Sequence, residues 1–100
     1  MSSLRIDQNS VIAGNTRIRS TRLDADMLAM DDQSGFCYSM NAPAARIWEL
    51  VQKPVKVSEL CALLCSEFSV DQNACYQSTV DILLSMKEAG LITVSDAPAV

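Results

Sequence analysis

Between Thr16 and Leu23 the chain reads TRIRSTRL, with apolar Ile18 between Arg17 and Arg19. A period of two places successive side chains on opposite faces of an extended backbone, so this stretch predicts a half-exposed first strand. Asp26 to Met30 (DMLAM) is a short apolar run that predicts a second strand. Asp31-Asp32-Gln33-Ser34-Gly35 follows, dense in turn formers, with Gly35 free to take a positive φ. Phe36 to Met40 (FCYSM) predicts a third strand, with Phe36, Tyr38 and Met40 on one face and Cys37 and Ser39 on the other. The second and third runs form a hairpin. Upstream, Met1 to Asn15 reads as irregular, although Val11 and Ile12 suit the start of a strand.

After Met40 the period lengthens. Asn41 is a good helix N-cap, and Pro43 falls in the first turn, where its missing N–H does no harm. Ala44, Ile47, Trp48 and Val51 recur at helical spacing, and the helix stops before Pro54. A second helix starts near Val57 with Leu60, Cys61, Leu64 and Phe68 as its stripe. A third runs from the N-cap Asp71 to Ala89, lined by Tyr76, Val80, Leu83 and Leu84 and widened by Ile82 and Met86. Gly90 is placed to end it in the left-handed conformation. Leu91, Ile92 and Val94 suit a short closing strand. Strands followed by helices make an α+β chain: 1–15 irregular, 16–95 a folded domain, and 96–100 a loose tail of small residues.

Composition narrows the function. One hundred residues suffice for one domain with its own core, and 49% hydrophobic with 20% charged residues is the balance of a globular chain. The net charge is −4, only eight residues are basic, and the third helix carries only Lys87. Nucleic acid, whose phosphates call for clustered cations, is not an expected partner. No apolar run is long enough to span a bilayer, so no membrane role is expected. Met1 to Asn9 lacks a signal-peptide core, which makes the cytoplasm the expected compartment and disulfides unexpected among Cys37, Cys61, Cys65 and Cys75. Cys61 and Cys65 share a helix face at a spacing compatible with a metal. With no histidine and no CxxC pair, however, they read as small buried hydrophobes, and no metal or cofactor is expected.

Catalysis is not expected either. There is no histidine for general acid–base work, no evident base beside a cysteine, and no glycine-rich phosphate loop. Asp24, Asp26, Asp31 and Asp32 gather around the strand–turn region, where short acids serve turn geometry and solvation. Trp48, on an apolar stripe, reads as core.

The stretch Ser34-Gly35-Phe36-Cys37-Tyr38-Ser39-Met40-Asn41, followed by Ile47-Trp48-Glu49-Leu50, resembles the PqqD family, with Met40 in place of the usual Leu. Val57-Ser58-Glu59-Leu60, Glu67-Phe68-Ser69-Val70, and Met86 with Gly90-Leu91-Ile92 resemble the rest of the pattern. The similarity covers Asp26 to Ile92, about two-thirds of the chain. Each motif is weak alone; their order and spacing are specific. The resemblance implies a winged helix-turn-helix-like fold, a three-stranded antiparallel sheet before three helices, in the order read from the residues. It also implies a recognition element that binds the leader of a ribosomally made precursor peptide and presents it to processing enzymes. Members serve pyrroloquinoline quinone synthesis, where they act as peptide chaperones. Others serve lasso peptides beside a leader peptidase and a cyclase, and that reading is preferred for this chain. Two departures stand out: Lys56 where a Ser or Thr cap is usual, and Ser78 where the third helix often has Asp.

The resemblance makes Gly35 to Met40 an open sheet edge to which the leader adds as a strand. The expected peptide-binding residues are Gly35, Phe36, Cys37, Tyr38, Ser39 and Met40 on that edge, and Ser78, Thr79, Ile82, Leu83 and Met86 on the third helix. The expected partners are the precursor peptide and its protease or modifying enzyme. A homodimer with exchanged strands is a further compatible state. The competing readings are a DNA-binding winged helix, which the acidic charge disfavours, and an adaptor that binds no leader.

Overall fold

The computed structural model describes residues 6–24 and 26–96. Six strands and three helices follow in the order β1 (Ser10–Gly14), β2 (Ile18–Leu23), β3 (Asp26–Asp31), β4 (Cys37–Met40), α1 (Ala42–Leu50), β5 (Val55–Lys56), α2 (Val57–Phe68), α3 (Gln72–Glu88) and β6 (Ile92–Asp96). This is an α+β chain of winged-helix-like arrangement, with antiparallel sheets and the hairpin strands ahead of the helices. The three-stranded sheet has the order β2-β3-β4, built on the three runs that periodicity assigned to strands and in the arrangement the resemblance implied. A second sheet, β5-β1-β6, was not predicted as a unit. The segment read as irregular thus contains a five-residue strand, β1, which pairs with β6 from Ser10↔Asp96 to Gly14↔Ile92 and with β5 at Val11↔Lys56. Sequence periodicity is local, and β1 owes its conformation to partners more than forty residues away. Of the predicted loose tail, Asp96 ends β6, and residues 97–100 lie outside the described residues.

Local chemistry places the boundaries. The Asn41 side chain accepts the Ala44 N–H at 3.2 Å and the Asp71 side chain accepts that of Ala74 at 3.1 Å, capping α1 and α3. Lys56 gives α2 no side-chain cap. At the end of α3, Gly90 takes φ +78°, its N–H donates to the Lys87 carbonyl, and the Leu91 N–H donates to that of Met86. These two bonds close the helix and turn the chain into β6.

Ile18, Met27, Ala29 and Met40 lie buried on the inner face of the first sheet, against Ala45, Ile47, Trp48 and Val51 of the α1 region. Leu60, Leu64, Leu83 and Met86 extend that core between α2 and α3, and Ile12 and Ile92 join it from the second sheet. Two polar contacts fix the first sheet within this frame. The buried Trp48 indole N–H donates to Ser20 Oγ at 3.1 Å, tying α1 to β2. The Asp31 carboxylate, only 4% exposed, accepts two hydrogen bonds from Arg17, at 3.2 and 3.3 Å, and one from the Gln33 backbone at 3.0 Å. That acid therefore holds the start of the hairpin loop. Gly35, at φ +77°, donates its N–H to the Asp31 carbonyl, and the Asp31 N–H donates to Phe36, closing the loop.

Two stability measurements test these ties. Ser20→Ala leaves the buried indole N–H to a water at the exposed Ser20 position, and should lower the urea-derived unfolding free energy by about 1 kcal/mol. The Arg17 hydrogen bonds hold the Asp31 carboxyl below the usual aspartate range. A depressed pKa adds stability that is fully present above the unfolded value of about 3.9 and is lost as pH falls through the folded one. The urea midpoint should therefore fall more steeply with acid below about pH 4 in the wild type than in Asp31→Asn; equal slopes would remove Asp31 from that role.

Candidate functional site

β4 lies at the rim of its sheet and pairs, among the described residues, with β3 alone: Met27↔Met40, Leu28↔Ser39, Ala29↔Tyr38 and Met30↔Cys37. In an antiparallel ladder, directly opposed residues alternate between bonded and non-bonded pairs. The Asp31–Phe36 bond sets the phase, so Tyr38 and Met40 spend their backbone groups on β3. Cys37 and Ser39 point their own N–H and C=O outward. The strand thus presents two donors and two acceptors to its open side.

A groove of about 450 Å³ runs along that side. Tyr38, Ser39, Met40 and Asn41 form one bank, with Asp26 and Ala44 beside them. Ile82, Ser85, Met86, Ala89 and Leu91 form the other. A second hollow of about 260 Å³ shares Ile82 and continues along α3 between α1 and the end of α2. Pro43, Ile47, Leu64, Phe68, Val70, Ala74, Cys75, Ser78 and Thr79 complete its lining. The helix bank therefore runs from Ala74 to Ala89, one long face of α3.

The structure brings most of the expected residues to this face. Tyr38, Ser39, Met40, Ile82 and Met86 line the groove, and Ser78 and Thr79 line the second hollow together with Ile82. Three residues of the strand segment stand elsewhere. Gly35 closes the hairpin loop. Phe36 is 63% exposed, its ring centroid 6.4 Å from that of Tyr38. The Cys37 side chain is exposed on the opposite face of the sheet, though its backbone faces the open edge. Leu83 is not on the wall: it is fully buried and packs into the core, because a helix shows one stripe to the groove and another to α2. Asp26, Asn41, Ala44, Ser85, Ala89 and Leu91 were missed. Asn41 had been read as a helix cap and Leu91 as part of the closing strand, and only tertiary packing sets them beside the groove.

The Cys61 thiol is pushed up by burial, and Cys65 is pushed up by its hydrogen bond with Cys75, which favours protonated thiols. The Cys75 thiol, buried, contacts the Cys61 carbonyl at 3.8 Å and Thr79 Oγ1 at 3.9 Å. Among the described residues no group of three or more His, Cys, Asp or Glu side chains is placed to hold a metal. Nor, among them, is any helix long and apolar enough to cross a membrane. The arrangement offers an unsatisfied strand edge beside an apolar trough, which is equipment for holding an extended chain.

Substitutions separate wall from core. Leu83→Ala should cost about 2–5 kcal/mol of folding free energy, the range for a buried leucine. Ile82→Ala, at a half-buried wall position, should cost about 1 kcal/mol. Chemical denaturation of both variants checks the assignment, and equal costs would contradict it.

Three comparisons with known proteins complete the description. The model of the family described as "Coenzyme PQQ synthesis protein D (PqqD)" matches residues 26–92. Two solved structures share the fold at 22% sequence identity. One is TbiB1 in complex with the TbiA(beta) leader peptide, TM-score 0.74, covering 80% of this chain and 93% of that one. The other is lasso peptide synthetase B1 complexed with the leader peptide, TM-score 0.72, covering 82% and 96%. No curated protein matches the sequence.

Proposed function

The chain belongs to the PqqD family, and from that membership we propose that it captures the leader region of a ribosomally synthesised precursor peptide by strand addition to β4 and presents it to processing enzymes, a leader peptidase and a cyclase, in lasso peptide biosynthesis. The observation that carries the proposal is the one-sided pairing of β4 beside an apolar groove. A guest strand aligned with β4 would meet the outward groups of Cys37 and Ser39. Its residue opposite Tyr38 would share the inner face of the sheet, pointing at Ile82 and Met86. Main-chain bonds give affinity with little selectivity, and the pockets for alternate side chains give selectivity. Met86 and Met40 suit a wall that adapts to its guest.

The other edge of the same sheet is a poorer host. β2 carries Arg19 and Arg22, and charges on an edge discourage strand addition. β4 carries no charge. Support for the lasso setting comes from the two leader-bound structures that share this fold over most of their length. The family's own description supports the same capture step in pyrroloquinoline quinone synthesis, as a peptide chaperone. A DNA-binding winged helix finds no support in α3, whose only basic residue is Lys87.

A disordered leader loses conformational entropy on ordering, so affinities between nanomolar and micromolar, about −12 to −8 kcal/mol, are expected. Cys37→Pro and Ser39→Pro each remove an outward donor while leaving the ladder to β3 intact. Calorimetry with the precursor peptide encoded nearby should show leader binding abolished in both variants, with far-UV circular dichroism confirming the fold. Wild-type affinity in both folded variants refutes strand addition at β4, and no binding by the wild type leaves the adaptor reading in its place.

A further inference from the structure

We infer that Ile82 sets the spacing of side chains in the guest, which places one bulky apolar residue on each side of Ile82 and a small residue over it; this rests on the strand-addition reading above. The groove of about 450 Å³ and the hollow of about 260 Å³ have one lining residue in common, and it is Ile82. Helical phase, which does not depend on the lining, gives the reason. At about 100° per residue, Ala74, Ser78, Ile82, Ser85 and Ala89 fall within about 80° of one another around α3. Ala74 and Ser78 line the hollow, and Ser85 and Ala89 line the groove. Four of these five side chains are small, so the stripe is low on both sides of Ile82 and high at it. Met86, the other large residue that α3 brings to the groove, turns toward the core and is 4% exposed. Leu84 stands on the far side of the helix, 39% exposed.

Two further features make Ile82 a fixed divider. A β-branched side chain in a helix is confined almost entirely to one χ1 rotamer, whereas Met40 and Met86 of the groove can adapt. Ile82 is also half-buried and packs against the core cluster, which holds it in place. Position along the guest follows. Pro43 lines the hollow and comes two residues after Asn41, so the hollow continues the groove beyond the Met40 end of β4. The middles of the two α3 linings are about eight residues apart, roughly 12 Å at 1.5 Å per residue. An extended guest covers that distance in about four residues, and its alternate residues share a face. The guest residue opposite Tyr38 enters the groove, the residue four positions further toward the Met40 end enters the hollow, and the one midway meets Ile82. A large side chain midway overpacks against Ile82, so discrimination there works by exclusion.

The test uses the full chain and a display library of random peptides of about twelve residues, which when extended cover both hollows. The wild type should enrich peptides with two large apolar residues four positions apart and Gly, Ala or Ser midway. Ile82→Ala should keep the two large residues and accept Val, Leu or Met midway. Leu84→Ala should give the wild-type profile. For one synthesised wild-type binder, replacing its midway residue with Leu should weaken binding about tenfold, within the range that one overpacked side chain costs. Ile82→Ala should reverse that order and bind the Leu peptide more tightly than the original, with far-UV circular dichroism showing the variant folded. A single large residue enriched, free choice midway in the wild type, or an Ile82→Ala profile equal to the wild type overturns the role of Ile82 and leaves strand addition standing. No enrichment of any peptide overturns both.

Discussion

One-sided pairing of β4 is the constraint on which the rest of this molecule depends. Among the described residues β2, β5 and β6 are edges too; β4 is the edge whose open side borders the groove lined by α3. Holding such an edge open requires the strand to be rigid without a second partner. Three devices supply that rigidity. β3 fixes its register over four residues, the Asp31 carboxylate and Gly35 fix the loop before it, and the Asn41 cap fixes the helix after it. Each acts through hydrogen bonds on the inward side, so none uses the groups of Cys37 and Ser39 that face out.

The helix that forms the other bank is held by a different means. α3 shows Leu83 to the core and Ile82 to the groove, and this one-residue step separates the anchoring face from the contacting one. The two bonds around Gly90 then carry the chain from α3 into β6, which pairs with β1. The second sheet thus ties down the C-terminal end of the groove wall. Ion pairs add to this at the surface: Arg46 bridges Glu49 of its own helix and Glu67 of α2, and Arg22 reaches Glu49 from β2. Exposed pairs of this kind contribute little stability singly, but here they join three elements.

What the sequence made legible follows from the range of each signal. The hairpin, the three helices and their caps are written in residues a few positions apart: the Asp-Asp-Gln-Ser-Gly loop, Asn41 before Pro43, Asp71, and Gly90. All appear where those residues place them. The second sheet was only hinted at, in Val11 and Ile12 at one end and Ile92 and Val94 at the other, because its pairing joins segments about eighty residues apart and no local period records that. The groove was legible on the strand side and partly on the helix side. Which of Ile82 and Leu83 faces it depends on the rotation of α3 against α2, a packing outcome. Asp26 was read as a turn acid for the same reason: nothing near it in sequence says that a groove lies alongside.

An open edge is also a hazard, since two copies of β4 offer each other the same groups that a guest would use. The molecule limits that danger by geometry. β4 is four residues long and only two of them face outward, so a ladder formed on this edge, with a guest or with a second copy, is short. Under the proposed strand addition, a guest would add to that short ladder the burial of its side chains against Ile82 and Met86 of α3. Under the same proposal the edge would discriminate by what lies beside it. A backbone that any extended chain can match would gain selectivity from the side-chain pockets between β4 and α3.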